Sequence, residues 1–248
     1  MSLFEKSSWY SHRVQRDVTL CRWGHFGMPV LILPTAGGDA EEVERWQMIR
    51  ALRPLLAAGR IKVYSCDSVA GQAWFAQEGS LAHRMWLMSQ FQEYVRYEVA
   101  PAIYADCRSE GIPIWVAGAS IGALHSVAMV CRYPDTFHRA LGMSGTYDIL
   151  RFAGTDRYTH DYFAATPSRF VPHLDEDGPQ LAKLRQRFVL LASGRGRAEA
   201  IEETWGMARI LGEANIPNWV DDWGPEWHHD WPTWRAMLPK YLGEWTSE

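Results

Sequence analysis

The segment Gly118-Ala119-Ser120-Ile121-Gly122 sets a serine between two glycines in the pattern G-x-S-x-G. An apolar run, Ile114–Ala117, leads into it, and a helical pattern, Ile121–Arg132, leaves it. A strand–turn–helix passage of this kind is sharp enough to stand a serine hydroxyl clear of the sheet, and it needs small residues on either side. The chemistry is nucleophilic attack by Ser120. A serine is a weak nucleophile near neutral pH, so a general base and an acid that orients the base are required. In this architecture they follow in the order Ser, Asp/Glu, His.

The base is expected in the loop after the last strand, Gly224-Pro-Glu-Trp-His-His-Asp-Trp-Pro232, which supplies His228 and His229. The orienting acid is expected after the strand Phe188–Ser193, where Gly194-Arg-Gly-Arg-Ala-Glu-Ala-Ile-Glu-Glu203 offers Glu199, Glu202 and Glu203. Asp148, after the preceding strand, is a further candidate. Acyl transfer develops charge on a carbonyl oxygen, and backbone N–H groups aimed at that oxygen stabilise it. One donor is expected from Ile121. The other is expected from Pro34-Thr35-Ala36-Gly37-Gly38-Asp39, with Gly37 favoured over Ala36.

These residues need a frame. The runs Pro29–Leu33, Ile61–Cys66, Ile114–Ala117, Arg139–Met143, Phe188–Ser193 and Asn218–Trp223 predict strands. Helical patterns at 41–57, 80–108, 121–132, 198–214 and 232–245 alternate with them. This predicts an α/β fold with a mostly parallel central sheet and helices on both faces. Two short strands, Trp9–Val14 and Asp17–Trp23, are expected at one edge. Residues 149–183 break the alternation and predict an excursion over the active-site end of one domain spanning 1–248.

The segment His229-Asp-Trp-Pro-Thr-Trp-Arg235 resembles the H-x-W-x-x-W-R segment of the esterase D-like α/β-hydrolases, a group that includes enterochelin esterases, feruloyl esterases and mycolyltransferases. Gly118–Gly122 and Phe137…Ser144-Gly145-Thr-Tyr-Asp148 resemble the same group. The resemblance runs from Val30 to Leu242. It implies the α/β-hydrolase fold and selects His229 as base over His228. It also selects Glu199 as the acid, leaving Glu202 and Glu203 as a solvated helix face, and it implies that Arg235 braces the histidine loop. The implied reaction is carboxylic-ester hydrolysis through a Ser120–His229–Glu199 triad and an acyl-enzyme. Acyl transfer to an alcohol, or a non-catalytic binding protein of the same fold, are the competing readings.

The chain has 248 residues, of which 47% are hydrophobic and 22% charged, which excludes a disordered chain. Its net charge of −4 gives no electrostatic footprint for nucleic acid or an anionic membrane. The partner expected is a small-molecule ester, with no metal or cofactor; the sequence does not fix the oligomeric state. Four dispersed cysteines give no disulfide framework or zinc spacing. The N-terminal segment lacks an apolar signal core, so a cytoplasmic location is expected. Thirteen tryptophans are unusual. Trp74, Trp227 and Trp231 lie in loops expected to meet near His229 and are candidates for binding substrate.

Overall fold

The computed structural model describes residues 4–247. Eight strands form one sheet: β1 (Phe4–Ser11), β2 (Arg16–Trp23), β3 (Met28–Leu33), β4 (Ile61–Cys66), β5 (Ile114–Ala119), β6 (Phe137–Met143), β7 (Phe188–Ser193) and β8 (Asn218–Asp222). Their order is β1-β2-β4-β3-β5-β6-β7-β8. β2 pairs antiparallel with both β1 and β4, and every pairing from β4 through to β8 is parallel. The expected α/β architecture is therefore present, with its antiparallel pair at one edge.

The parallel strands read as continuous apolar runs because both faces are covered. Side chains alternate between two cores. Leu31, Leu33, Val116, Val189 and Leu191 enter one of them, and Val30, Ile32, Ala117, Leu190 and Ala192 enter the other. The α-helices are α1 (Glu42–Arg45), α2 (Met48–Ala57), α3 (Val69–Phe75), α4 (Leu81–Tyr94), α5 (Ala100–Cys107), α6 (Ile121–Arg132), α7 (His160–Ala165), α8 (Pro167–Phe170), α9 (Pro179–Leu184), α10 (Ile201–Glu213) and α11 (Trp231–Trp245). Residues of α4, α5, α6 and α10 fill the first core, and those of α2 and α11 fill the second.

Two helical stretches differ from the pattern. The stretch 41–57 is two helices, because Gln47 takes a left-handed φ of 62° between them. Trp46, which the helical spacing of Val43, Trp46, Ile49 and Leu52 places on one buried face, is 50% exposed as a result. The stretch 80–108 stays helical through Pro101, a residue type that breaks a helix interior. A π-turn, Val95–Val99, precedes α5, and Pro101 falls in the first turn of α5. Pro101 has no N–H to give to the ladder, and the wider turn accommodates its ring.

The β5–α6 passage is packed backbone on backbone. A Cβ on Gly118 would run into the Gly122 backbone, and one on Gly122 would run into the carbonyl oxygen of Leu33 at the end of β3. Gly206, inside α10, has nothing within 4 Å of where a Cβ would stand. Gly122→Ala should therefore destabilise the protein by about 3 kcal/mol or more, since the Leu33 and Pro34 carbonyls it would meet cannot withdraw without moving the end of β3. Gly206→Ala should stabilise it by about 0.5–1 kcal/mol through helix propensity. Urea unfolding of both variants checks the contrast.

Candidate active site

β5 ends where α6 begins, and Ser120 makes the whole turn with φ 57° and ψ −121°. That backbone is strained for a residue with a side chain and is held by its surroundings. The Ser120 N–H donates to Met143 O at 3.0 Å, and its carbonyl accepts from Thr146 N at 3.2 Å. Both partners belong to the β6 end, so the neighbouring strand clamps the turn.

Ser120 opens into a cleft of about 460 Å³ at the C-terminal end of the sheet, and His229 lines the same cleft. His229 Nδ1 lies 3.6 Å from Glu199 Oε2. This is longer than a hydrogen bond, and such contacts commonly tighten only when substrate binds. The Glu199 side chain is 1% exposed and that of His229 23%. Ser144 Oγ donates to Glu199 Oε1 at 2.6 Å, and Ser193 Oγ donates to Oε2 at 3.2 Å. The structure thus brings Ser120, His229 and Glu199 to one end of the sheet, as the sequence order requires.

The two loops that carry Glu199 and His229 are laced together. Gly196 N–H donates to Trp227 O at 2.9 Å, His229 N–H to Arg197 O at 3.1 Å, and Arg195 N–H to Gly224 O at 2.8 Å. His228 joins this lacing, with its Nδ1 accepting from Arg197 N–H at 3.0 Å. Gly196 has to be glycine, because a Cβ there would occupy the place of the His228 ring. His228 is therefore a staple between loops, while its neighbour faces the cleft.

The other acids are committed elsewhere. Asp148 accepts from Leu150 N–H and the Tyr162 hydroxyl and pairs with Arg169. Glu202 is exposed. Glu203 corrects the expectation of a solvated face. It is partly buried, accepts Tyr147 N–H at 2.7 Å and pairs with Arg151, because α10 turns this side toward the start of the excursion.

The loop after β3 is tied from below. Thr35 N–H donates to Glu42 Oε2 at 2.9 Å, and the Thr35 hydroxyl donates to Glu42 Oε1. Burial pushes the Glu42 carboxyl up, and the two Thr35 bonds oppose that shift. Gln72 Nε2 donates to Gly38 O at 2.8 Å. Within this loop Ala36 lines the cleft and Gly37 does not. Gly37 supplies the turn, with φ 77° and the Phe75 ring against it. Ile121, also in the lining, lies in the first turn of α6, where N–H groups have no intrahelical acceptor.

Of the three candidate tryptophans, Trp74 lines the cleft. Trp227 packs edge-on against Trp223 at 4.7 Å, and Trp231 stacks on Trp46 at 5.9 Å; neither lines the cleft. Both are turned into the packing of the β8–α11 side. Arg235 braces this region by donating to Trp46 O at 2.8 Å. The lining instead includes Phe75 and Phe152, 75% and 66% exposed, with Ile149 and Arg151. Three of these come from the excursion, whose lack of periodicity hid which side chains face inward. A larger cavity of about 640 Å³ opens at the other end of the sheet, beside Met28, Lys62 and Trp115, far from Ser120.

The model of the Esterase family matches residues 62–244. The chain belongs to this family. It is a serine esterase with the α/β-hydrolase fold. Among solved structures, it is similar to a ferulic acid esterase at 17% identity, with 98% of each chain covered and a TM-score of 0.74. It is also similar to an S-formylglutathione hydrolase from Agrobacterium tumefaciens at 14% identity, covering 100% of this chain and 96% of that one, with a TM-score of 0.72. An enterobactin esterase from Shigella flexneri shares 14% identity over 98% of this chain and 59% of its own, with a TM-score of 0.68. Identities this low establish the shared fold alone. No curated protein sequence matches the chain significantly. Among the described residues no helix is long and apolar enough to cross a membrane.

One histidine near the nucleophile is excluded as a base by its surroundings. His125, on α6, is fully buried against Phe91, and its Nδ1 faces Gln92 Nε2 at 3.2 Å. Burial pushes its pKa down to about 3. The unfolded chain takes up this proton near pH 6.5 while the native state does not. His125 thus contributes stability that is full above about pH 6.5 and is lost progressively as pH falls toward 3. Between pH 6 and 4 the wild type should lose about 1.4 kcal/mol per pH unit more than His125→Gln does. Urea unfolding of both proteins across this range reads the difference in slope.

Proposed function

We propose that this esterase hydrolyses its ester through a Ser120–His229–Glu199 triad and a covalent acyl-enzyme. The observation that carries the reading is the shared cleft of Ser120 and His229, with the buried Glu199 carboxylate behind the imidazole. His229 Nε2 takes the proton of Ser120 Oγ as that oxygen attacks the ester carbonyl. The tetrahedral oxyanion is held by the N–H groups of Ile121 and Ala36, with Gly37 shaping the second donor's turn. Collapse breaks the bond to the alcohol, and His229 returns its proton to the leaving alkoxide. Water, deprotonated by His229, then attacks the acyl-serine, and a second collapse releases the acid and restores Ser120.

Glu199 accepts the Nδ1–H of His229 and stabilises the imidazolium formed in each half-reaction. The apolar walls of Trp74, Phe75, Ile149 and Phe152 fit a bulky apolar portion of the ester.

The reading is tested with one activated ester and five variants. Ser120→Ala should leave only the residual rate, about 10³–10⁴ over water, that binding and oxyanion stabilisation supply. His229→Ala and Glu199→Gln should each lower kcat by roughly 10⁴-fold. Asp148→Asn should leave kcat within a few-fold of wild type. His228→Ala should cost far less than His229→Ala, because it loosens the loops without removing the base. A loss in Asp148→Asn with near-wild-type kcat in Glu199→Gln would move the acid to the earlier strand.

A further inference from the structure

The hydrogen bonding behind Glu199 does not end at Ser144. The Trp234 indole N–H donates to Ser144 Oγ at 3.0 Å. A hydroxyl has one proton and two lone pairs. The indole fills a lone pair, so the single Ser144 proton is directed outward to Glu199 Oε1, where the 2.6 Å contact lies. Ser193 is a poorer donor to the other carboxylate oxygen, because its hydroxyl is shared between Glu199 Oε2 at 3.2 Å and Gly194 O at 3.1 Å. Oε2 is the oxygen that faces His229.

Ser144 and Trp234 are 2% and 4% exposed, and neither lines the cleft. Ser144 also sits at φ 47°, a left-handed backbone in which glycine would be at ease and a side chain is not. A hydroxyl stands there despite that cost. Trp234 meets the reacting groups on a second side, with its ring edge-on to His229 at 5.3 Å and an interplanar angle of 83°. One indole thus braces the base by its edge and the acid through a serine.

We propose that Ser144 and Trp234 are positioning residues that hold Glu199 Oε1, leaving Oε2 turned to His229. The proposal rests on Glu199 being the triad acid. Without the Ser144 hydroxyl, the buried carboxylate loses its shortest donor and can rotate away from the imidazole.

The test measures kcat and KM for Ser144→Ala, Ser144→Gly and Trp234→Phe, in the wild type and in Glu199→Gln. Losing a hydrogen bond to a charged group predicts a fall in kcat of about ten- to a hundredfold for both Ser144 variants. KM should stay within about twofold, since neither residue touches substrate. Ser144→Gly fits the left-handed backbone, so its loss cannot be charged to strain. Trp234→Phe keeps an aromatic ring but removes the indole N–H together with one fused ring. It should lower kcat by less than Ser144→Ala does, and the Ser144→Ala/Trp234→Phe double variant should lose less than the product of the two single losses. In Glu199→Gln the Ser144 substitutions should cost under about twofold, because the carboxylate charge they orient is already gone.

Wild-type kcat in both Ser144 variants, with Glu199→Gln crippled, would overturn the positioning role and leave the triad standing. An equal loss in both backgrounds would also overturn it, showing that Ser144 acts without Glu199. Near-wild-type kcat in Glu199→Gln would remove the acid assignment and this proposal with it.

Discussion

The structure depends on one close approach, that of α6 to the ends of β3 and β5. Gly118 and Gly122 let three backbones meet where no side chain fits. That contact forces a single residue to make the strand-to-helix reversal, and Ser120 makes it in a strained conformation. The strain is affordable because the sheet around it is buried on both faces and Met143 and Thr146 clamp the turn. The same approach puts the orphan N–H groups of the first turn of α6 beside the loop that follows β3. The Ser120 turn and the Ile121 N–H beside it therefore come from one packing constraint.

Glu199 and His229 are positioned differently, by loops instead of regular elements. Loops hold a geometry only when their backbone groups are satisfied. Here residues 194–197 and 224–229 satisfy one another, with the His228 ring as an extra rung. The chain turns tightly at His229, with Asp230 N–H donating to His228 O at 2.8 Å, so His228 stays in the lacing while His229 lines the cleft. The buried carboxylate of Glu199 is offset by donors from Ser144 and Ser193, which is what a charge removed from water requires. Asp148, Glu203, Arg151 and Arg169 form separate pairs that fasten the excursion to α10 and to itself.

Much of this was legible in the sequence where burial is two-sided. Ile61–Cys66, Ile121–Arg132 and Phe188–Ser193 begin and end where their patterns do, because continuous apolar runs bounded by Gly, Ser or Asp leave little choice. That Ser120, Glu199 and His229 come to one end of the sheet was readable for the same reason, since each follows a strand of the parallel sheet. Illegible features arise where one residue redirects the chain. Gln47 splits a helix without any change in composition, and α3 is short and carries Gly71, so it leaves no periodic trace. Proximity in sequence misled for Trp227 and Trp231, which flank His229 yet pack on Trp223 and Trp46. The inward-facing Phe152 and the bonded Glu203 depend on how the excursion folds back, which local pattern does not encode.

The central claim is that Ser120 is the covalent nucleophile. A fluorophosphonate probe reacts with an activated serine and stays attached, so peptide mass mapping after labelling identifies the residue directly. The account predicts one phosphonyl group per chain, on the peptide containing Ser120, formed only slowly when His229 is replaced by alanine. Labelling on another serine at the same rate in Ser120→Ala would contradict it.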